Sequence, residues 1–372
     1  MNSVSPGMTL QRECEVLLQR FGVPAVGLAV VGPAGVEALG CLGERKYGSG
    51  IAVTESDLWH IGSCTKSMTA TLVARYVERG DLKWDAPLAP VVDACGFDMH
   101  PDFADLTLRD LLTHRSGISA DPSPSALDAC QRYTLPEEQR AEIAGVTLME
   151  GPTQQPGEAF CYSNLGYVVA GALLEIMTGT TWEELMRREL FSPLGLATAG
   201  FGAPGKASRG AFARLLGREV ITQPWGHLAG SQTGTFTGVN PDDDELADNP
   251  PSTGPAGTVH LSLPDLARYV AFHASRGASA PGYLGPETVD YLHEPLPGED
   301  YALGWGTAPL EVNGIGKFSI WHEGSNNAWY AGMLAVPEDG RGLAWVCNAS
   351  PDSLYEPDTG MMAAVLEELE AL

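Results

Sequence analysis

Basic residues are scarce in this chain: 22 lysines and arginines stand against 47 aspartates and glutamates, a formal charge of −25 over 372 residues. A surface so acidic repels a phosphate backbone unless its bases gather in one patch. The bases here are scattered, so no nucleic-acid partner is expected. A polyanionic substrate is disfavoured less strongly, and solubility alone accounts for the acidity. Long apolar runs are missing too: none approaches 18 residues, so no membrane association is expected. The opening MNSVSPGMTLQRECEVLLQR lacks a basic stretch followed by an apolar one. It leads to the expectation of a cytoplasmic protein, or of a periplasmic one should a leader be missing from it.

Other absences exclude chemistries. The seven cysteines, at 14, 41, 64, 95, 130, 161 and 347, are odd in number and include no C-x-x-C, which fits a reducing compartment better than a disulfide framework. No G-x-S-x-G occurs, which removes the α/β-hydrolase nucleophile elbow. No H-E-x-x-H or G-x-x-x-x-G-K-[ST] occurs, and His60, His100, His114, His227, His260, His273 and His293 fall in no metal-ligand spacing. Neither a metal nor another cofactor is therefore expected.

What is present reads as an ordinary globular chain, 44% hydrophobic and 19% charged, with a length suited to two domains. TLQRECEVLLQRFG at 9–22 predicts an amphipathic helix stopped by Gly22, and Ala25–Cys41 predicts a hairpin around a turn at 32–35. Leu58–Ile61 reads as a short third strand feeding Gly62 and Ser63, and 63–79 as a well-buried helix. The middle changes character: 105–113, 136–150, 165–178, 181–191 and 262–274 read as helices between Gly/Pro-rich loops, with few strands. From about 301 four short apolar segments, 303–309, 315–321, 328–336 and 342–348, read as consecutive antiparallel strands, and 359–371 as a closing helix. Strands at both ends and helices between predict an α+β fold: an antiparallel sheet flanked by helices and formed by both termini (1–88 and 290–372), with a mainly helical domain (89–289) inserted. The active site is expected between the two. Residues 222–258, with PDDDELADNPP at 241–251, have little periodicity and read as a solvated loop or a wall of a site.

Of only five lysines, Lys66 alone has a serine three positions earlier, Ser63. On a helix that spacing puts both side chains on one face. A hydroxyl needs a neighbour to take its proton, and a lysine among the apolar and small residues of SCTKSMTATLV is desolvated, which lowers its pKa. Helix starts also supply serines and lysines freely, so the pair by itself leaves a structural reading open. Tyr162 and Asn164 stand at the start of the helix 165–178, where Asn164 is equally a candidate cap and Tyr162 a core aromatic. His322 ends a strand before Glu323-Gly324-Ser325, where a glycine permits close approach of substrate to backbone, although GSNN is also a turn sequence. Glu323 is expected to alternate away from His322 along the strand. Cys64 and Cys161 read as packing thiols. His114 and Arg115 read as structural. Trp225, His227, Trp305 and Trp329 are candidates for lining a pocket or filling a core.

Taken in order, Ser63-Cys64-Thr65-Lys66, Tyr162-Ser163-Asn164 and His322-Glu323-Gly324 resemble the three motifs of the serine β-lactamase and penicillin-binding-protein-like superfamily. The branch is that of class C β-lactamases, D-alanyl-D-alanine carboxypeptidases, D-aminopeptidases and family VIII carboxylesterases. Flanking stretches at 106–118, 156–179 and 255–269 share the resemblance, which covers about residues 10–370. It implies a β-lactamase/transpeptidase-like fold with Ser63 as acylated nucleophile, Lys66 as its partner and Tyr162 as a phenolate-like general base that protonates the leaving group. It further implies that Asn164 hydrogen-bonds Lys66 and the acyl side of the substrate. His322 would stand on the edge strand, where many relatives have lysine, and the N–H groups of Ser63 and Ser325, beside Gly324, would form the oxyanion hole.

The expected function is that of a serine hydrolase acting on a small ester or amide through an acyl-enzyme. Alternatives are a β-lactamase or D-peptidase, a transferase in which another nucleophile takes the acyl group, and an inactive binding protein that kept the fold. The last would be free to lose Ser63, Lys66 or Tyr162, and all three are present.

Overall fold

The computed structural model describes residues 8–206, 221–230, 234–243, 245–312 and 314–370. The opening seven residues, position 244 of the acidic run and the last residue of the expected closing helix lie outside the described residues.

The expected hairpin forms as β2 (Ala25–Gly32) and β3 (Gly35–Gly43), with the short β1 (Met8–Thr9) parallel to β3. Five further strands form two small sheets. The expected short third strand forms as β4 (Leu58–His60) and pairs with β8 (Val259–Ser262), which also holds β5 (Gly200–Phe201). β6 (Gly226–Ala229) and β7 (Phe236–Val239) form a hairpin inside the stretch read as a loop. The C-terminal run then supplies β9 (Gly306–Val312), β10 (Ile315–Ser325), β11 (Tyr330–Val336) and β12 (Arg341–Cys347), consecutive and antiparallel.

β12 lies antiparallel on β2, with Trp345 opposite Leu28, so the two ends of the chain close one seven-stranded sheet in the order β1-β3-β2-β12-β11-β10-β9. Both faces are covered, which is why β2 and β11 read as continuous apolar runs. Val26, Leu28 and Val30 face a core completed by the helices Gln11–Phe21 and Met361–Glu370. Ala29 and Val31 face the larger core, shared with the helices Leu263–Ala274 and Thr65–Glu78. Successive strand residues point to opposite faces, so one strand serves both cores.

The expected helices form with local causes visible. Gly22 ends the first by adopting φ 64°. The Ser163 hydroxyl, rather than Asn164, caps the helix Asn164–Thr178 by accepting the Gly166 N–H. Thr107 and Asp110 form a capping box on Leu108–Leu112. The segment expected as a helix from residue 63 begins as a 3-10 turn, Gly62–Cys64, before becoming helical at Thr65.

Residues 251–257 are a wall of turns that packs on the nucleophile helix, where Thr69 donates to the Pro255 carbonyl. Behind it the fully buried Arg140, on the helix Pro136–Glu150, donates to the carbonyls of Pro251 and Ser252 and pairs with Glu175 and Glu183.

Candidate active site

Ser63 stands in a turn that glycine makes possible. Gly62 has φ 49°, and a Cβ there would lie 2.3 Å from the Ser325 nitrogen. Across from it, a Cβ on Gly324 would lie 2.2 Å from the Ile61 oxygen and 2.5 Å from the Ser63 nitrogen. The two main chains therefore touch with no side chain between them, and Ser63 and Ser325 border the same space. Cys64 fastens the contact from behind: its buried thiol is directed at the carbonyls of His322 (3.5 Å) and Ala331 (3.8 Å). Burial pushes that thiol's pKa up, so Cys64 is an inert packing group.

Lys66 is fully buried, and its Nζ donates to Ser63 Oγ at 3.0 Å and to the Ala256 carbonyl at 2.9 Å. Desolvation lowers its pKa to about 7. The Tyr162 ring stands 4.8 Å from the Lys66 nitrogen and keeps 37% of its surface exposed. Burial of its hydroxyl raises the phenol to about 12, against the smaller opposing effect of the Ser63 hydroxyl beside it. Resemblance implied a phenolate; burial favours the phenol at Tyr162 and the neutral amine at Lys66.

Two assignments shift. Asn164 Nδ2 donates to Asp121 Oδ1 at 3.1 Å, and among the described residues no hydrogen bond joins it to Lys66, which instead donates to Ser63 and Ala256. His322 is not at the end of its strand: β10 continues to Ser325, because β11 supplies partners as far as Tyr330. Nor is β10 the edge strand, since β9 lies outside it. The β9 pairing stops at Gly306 opposite Trp321, however, so residues 322–325 have an open side where the strand passes Ser63.

His322 is buried, and a carbonyl can only accept, so its Nδ1 carries the proton given to the Glu323 carbonyl at 2.6 Å. Its Nε2 is then the acceptor for the Tyr301 hydroxyl at 3.1 Å. Desolvation, reinforced by Lys66, lowers its pKa to about 3. His322 is a neutral ring with both nitrogens engaged, not a substitute for a lysine's charge. Glu323 turns from it as strand alternation requires, accepting from the Tyr330 hydroxyl, and burial raises its carboxyl.

Sequence reasoning missed the support around Tyr162. His114, read as structural, lies against Tyr162 with ring centres 4.3 Å apart and planes tilted by 36°, accepts the Ser163 N–H at 3.0 Å, and has φ 59°. Tyr301 lies 4.8 Å from the same imidazole. Nothing local in the sequence marks Tyr301, whose role depends on a strand pairing far along the chain. Trp225, His227, Trp305 and Trp329 are all buried and line neither opening at Ser63.

Two clefts meet at Ser63 and Ser325. One, of about 440 Å³, is lined by Phe160, Tyr162, Tyr301, Trp321, His322 and Tyr355 among others. The other, of about 250 Å³, is lined by Asp121, Leu127, Ile143, Asn164, Asn249 and the wall at 250–257. Among the described residues no group of three His, Cys, Asp or Glu side chains is placed to hold a metal ion.

The Beta-lactamase family model matches residues 10–366. The chain belongs to the beta-lactamase family. It is 27% identical over 355 residues to penicillin-binding protein 4 of Amycolatopsis lactamdurans, covering 94% of this chain and 87% of that one. Among solved structures, a class C beta lactamase from Rhodobacter sphaeroides superposes with TM-score 0.71 at 19% identity, covering 97% of each chain. A D-amino acid amidase from Ochrobactrum anthropi SV3 superposes with TM-score 0.70 at 20% identity, covering 97% of this chain and 95% of that one. The structural likenesses carry the fold, α+β with an antiparallel sheet, and the family match carries the class of activity: a beta-lactamase-family serine hydrolase.

Proposed function

We propose that the protein hydrolyses small esters or amides through an acyl-enzyme on Ser63. The observation that carries this reading is the 3.0 Å bond between Ser63 Oγ and a fully buried Lys66 whose pKa lies at about 7. With Lys66 neutral, Ser63 Oγ attacks the substrate carbonyl and its proton passes to Lys66 Nζ. The N–H groups of Ser63 and Ser325 take the oxyanion. The Tyr162 hydroxyl then protonates the leaving alcohol or amine as the C–O or C–N bond breaks, and recovers its proton from Lys66. Water enters by the same path in reverse and frees the acid and Ser63.

Esters and simple amides are favoured over β-lactams or carboxyl-terminal D-peptides by electrostatics. The latter two present a carboxylate, and no lysine or arginine is among the described residues lining either cleft. His322, neutral and doubly hydrogen-bonded, offers that carboxylate no charge.

Intact-mass measurement after exposure to p-nitrophenyl esters, D-amino-acid amides, a penicillin and a cephalosporin tests this. The expected result is an acyl adduct on Ser63 from the esters or amides, absent in Ser63→Ala, whose turnover falls to background. An adduct on Cys64, or equal turnover by Ser63→Ala, would overturn it.

A further inference from the structure

We propose that His60 and Asp248 are positioning residues for the oxyanion hole: Asp248 fixes the tautomer of the His60 imidazole, and the imidazole holds the turn that presents the Ser63 N–H. The role rests on the acyl-enzyme reading and deepens it.

Gly62 opens the 3-10 turn Gly62–Cys64, and the first N–H groups of a helical turn have no partner within it. His60 supplies the missing acceptor, since the Gly62 N–H donates to His60 Nδ1 at 3.1 Å. A backbone N–H can only donate, so Nδ1 carries a lone pair and the ring proton lies on Nε2. From there it is donated to Asp248 Oδ1 at 2.8 Å. His60 is fully buried, and the Asp248 side chain is only 13% exposed. The peptide before Gly62 is thereby pinned, and Gly62, at φ 49°, turns the chain from it into the peptide that bears the Ser63 nitrogen. Glycine sets little conformational barrier of its own, so the orientation of the Ser63 N–H depends on that pin.

Asp248 reaches His60 across 188 residues of sequence, from the acidic run read as a solvated loop or a wall of the site. Its two neighbours fasten the same region. The Ala247 carbonyl accepts from Asn326 Nδ2 at 3.2 Å, one residue beyond the second oxyanion donor, Ser325. Asn249 Nδ2 donates to the Gly257 carbonyl at 2.7 Å, beside the Ala256 carbonyl that holds Lys66. Three consecutive residues therefore tie down the Ser63 turn, the end of β10 and the wall behind Lys66. His260, the cross-strand neighbour of His60, is engaged elsewhere, with its Nδ1 at the Gly202 carbonyl.

Stopped-flow acylation by p-nitrophenyl acetate, intact mass, thermal midpoints and nitrogen NMR of the imidazoles test this on the full chain. His60→Leu removes acceptor and donor together, and the saturating acylation rate constant is expected to fall about 10²-fold while the half-saturating ester concentration stays within about threefold. His60→Asn keeps an acceptor, because an asparagine side chain bonds the N–H two residues on, and is expected to recover at least about tenfold of that loss. In Asp248→Asn the amide no longer selects one tautomer, and acylation is expected to slow about tenfold. This variant lies nearer the surface and carries the test should His60→Leu not fold. The wild-type His60 signals, assigned by their absence in His60→Asn, are expected to show the proton on Nε2. A proton on Nδ1, rate constants within threefold of wild type in Asp248→Asn or in folded His60→Leu, or a loss in His60→Asn as large as in His60→Leu overturns the proposal. Any of these with Ser63 still acylated sinks this inference alone. Failure of the wild type to take an acyl group on Ser63 sinks the proposed function with it.

Discussion

At Lys66 the fold removes water from an ammonium group and gives it only the Ser63 hydroxyl and the Ala256 carbonyl in exchange. The charged form is penalised, so the pKa falls from 10.5 to about 7. Below that value Lys66 is protonated and cannot accept the Ser63 proton. The acylation rate constant is therefore expected to drop about tenfold per pH unit below 7 and to level above it, since Tyr162, raised to about 12, stays protonated throughout. Stopped-flow acylation by a neutral ester from pH 5 to pH 9 checks this, and a flat profile across pH 6–8 would contradict Lys66 as the base. Ser63 and Lys66 were legible because their partnership lies within one helical turn. His114, Tyr301 and Asp121 were not, because each acts on a residue brought close only by folding.

Between elements, the decisive contact is the one where β10 passes the turn before the nucleophile helix. Its closeness depends on hydrogen atoms where side chains would be, at Gly62 and Gly324. Gly324→Ala would drive a methyl into the Ile61 carbonyl and the Ser63 amide, moving Ser325 away from the oxyanion position. The expected loss in kcat is about 10²–10³-fold, the scale of removing one oxyanion donor. Ester turnover read beside the thermal midpoint separates this from unfolding; a kcat within a factor of three of wild type would mean that the Ser325 N–H is not used. The sequence pattern identified β10 as a strand but ended it at residue 321, because Glu323-Gly324-Ser325 reads locally as a turn. Cross-strand partners on β11 overrode that local preference.

Over the whole molecule, the sheet holds only if both ends of the chain arrive. β12 pairs with β2, and the terminal helix Met361–Glu370 packs Met361, Ala364 and Val365 beside the first helix, where Arg20 also meets Glu367. Removing residues 357–372 uncovers that core. Burial of large apolar side chains contributes about 1.5–3 kcal/mol each, so the truncated chain is expected to lose several kcal/mol in urea unfolding and to aggregate on warming. An unchanged midpoint would show that the helix is dispensable. The sequence by itself determined the helices, the terminal strands and the Ser63–Lys66 pair, because periodicity, glycine stops and a three-residue spacing are local properties. Only the tertiary structure decided that Asn164 serves Asp121, that His322 is neutral, and that two chemically different clefts meet at Ser63. Burial and partner identity belong to the packed molecule, and they set which groups carry charge.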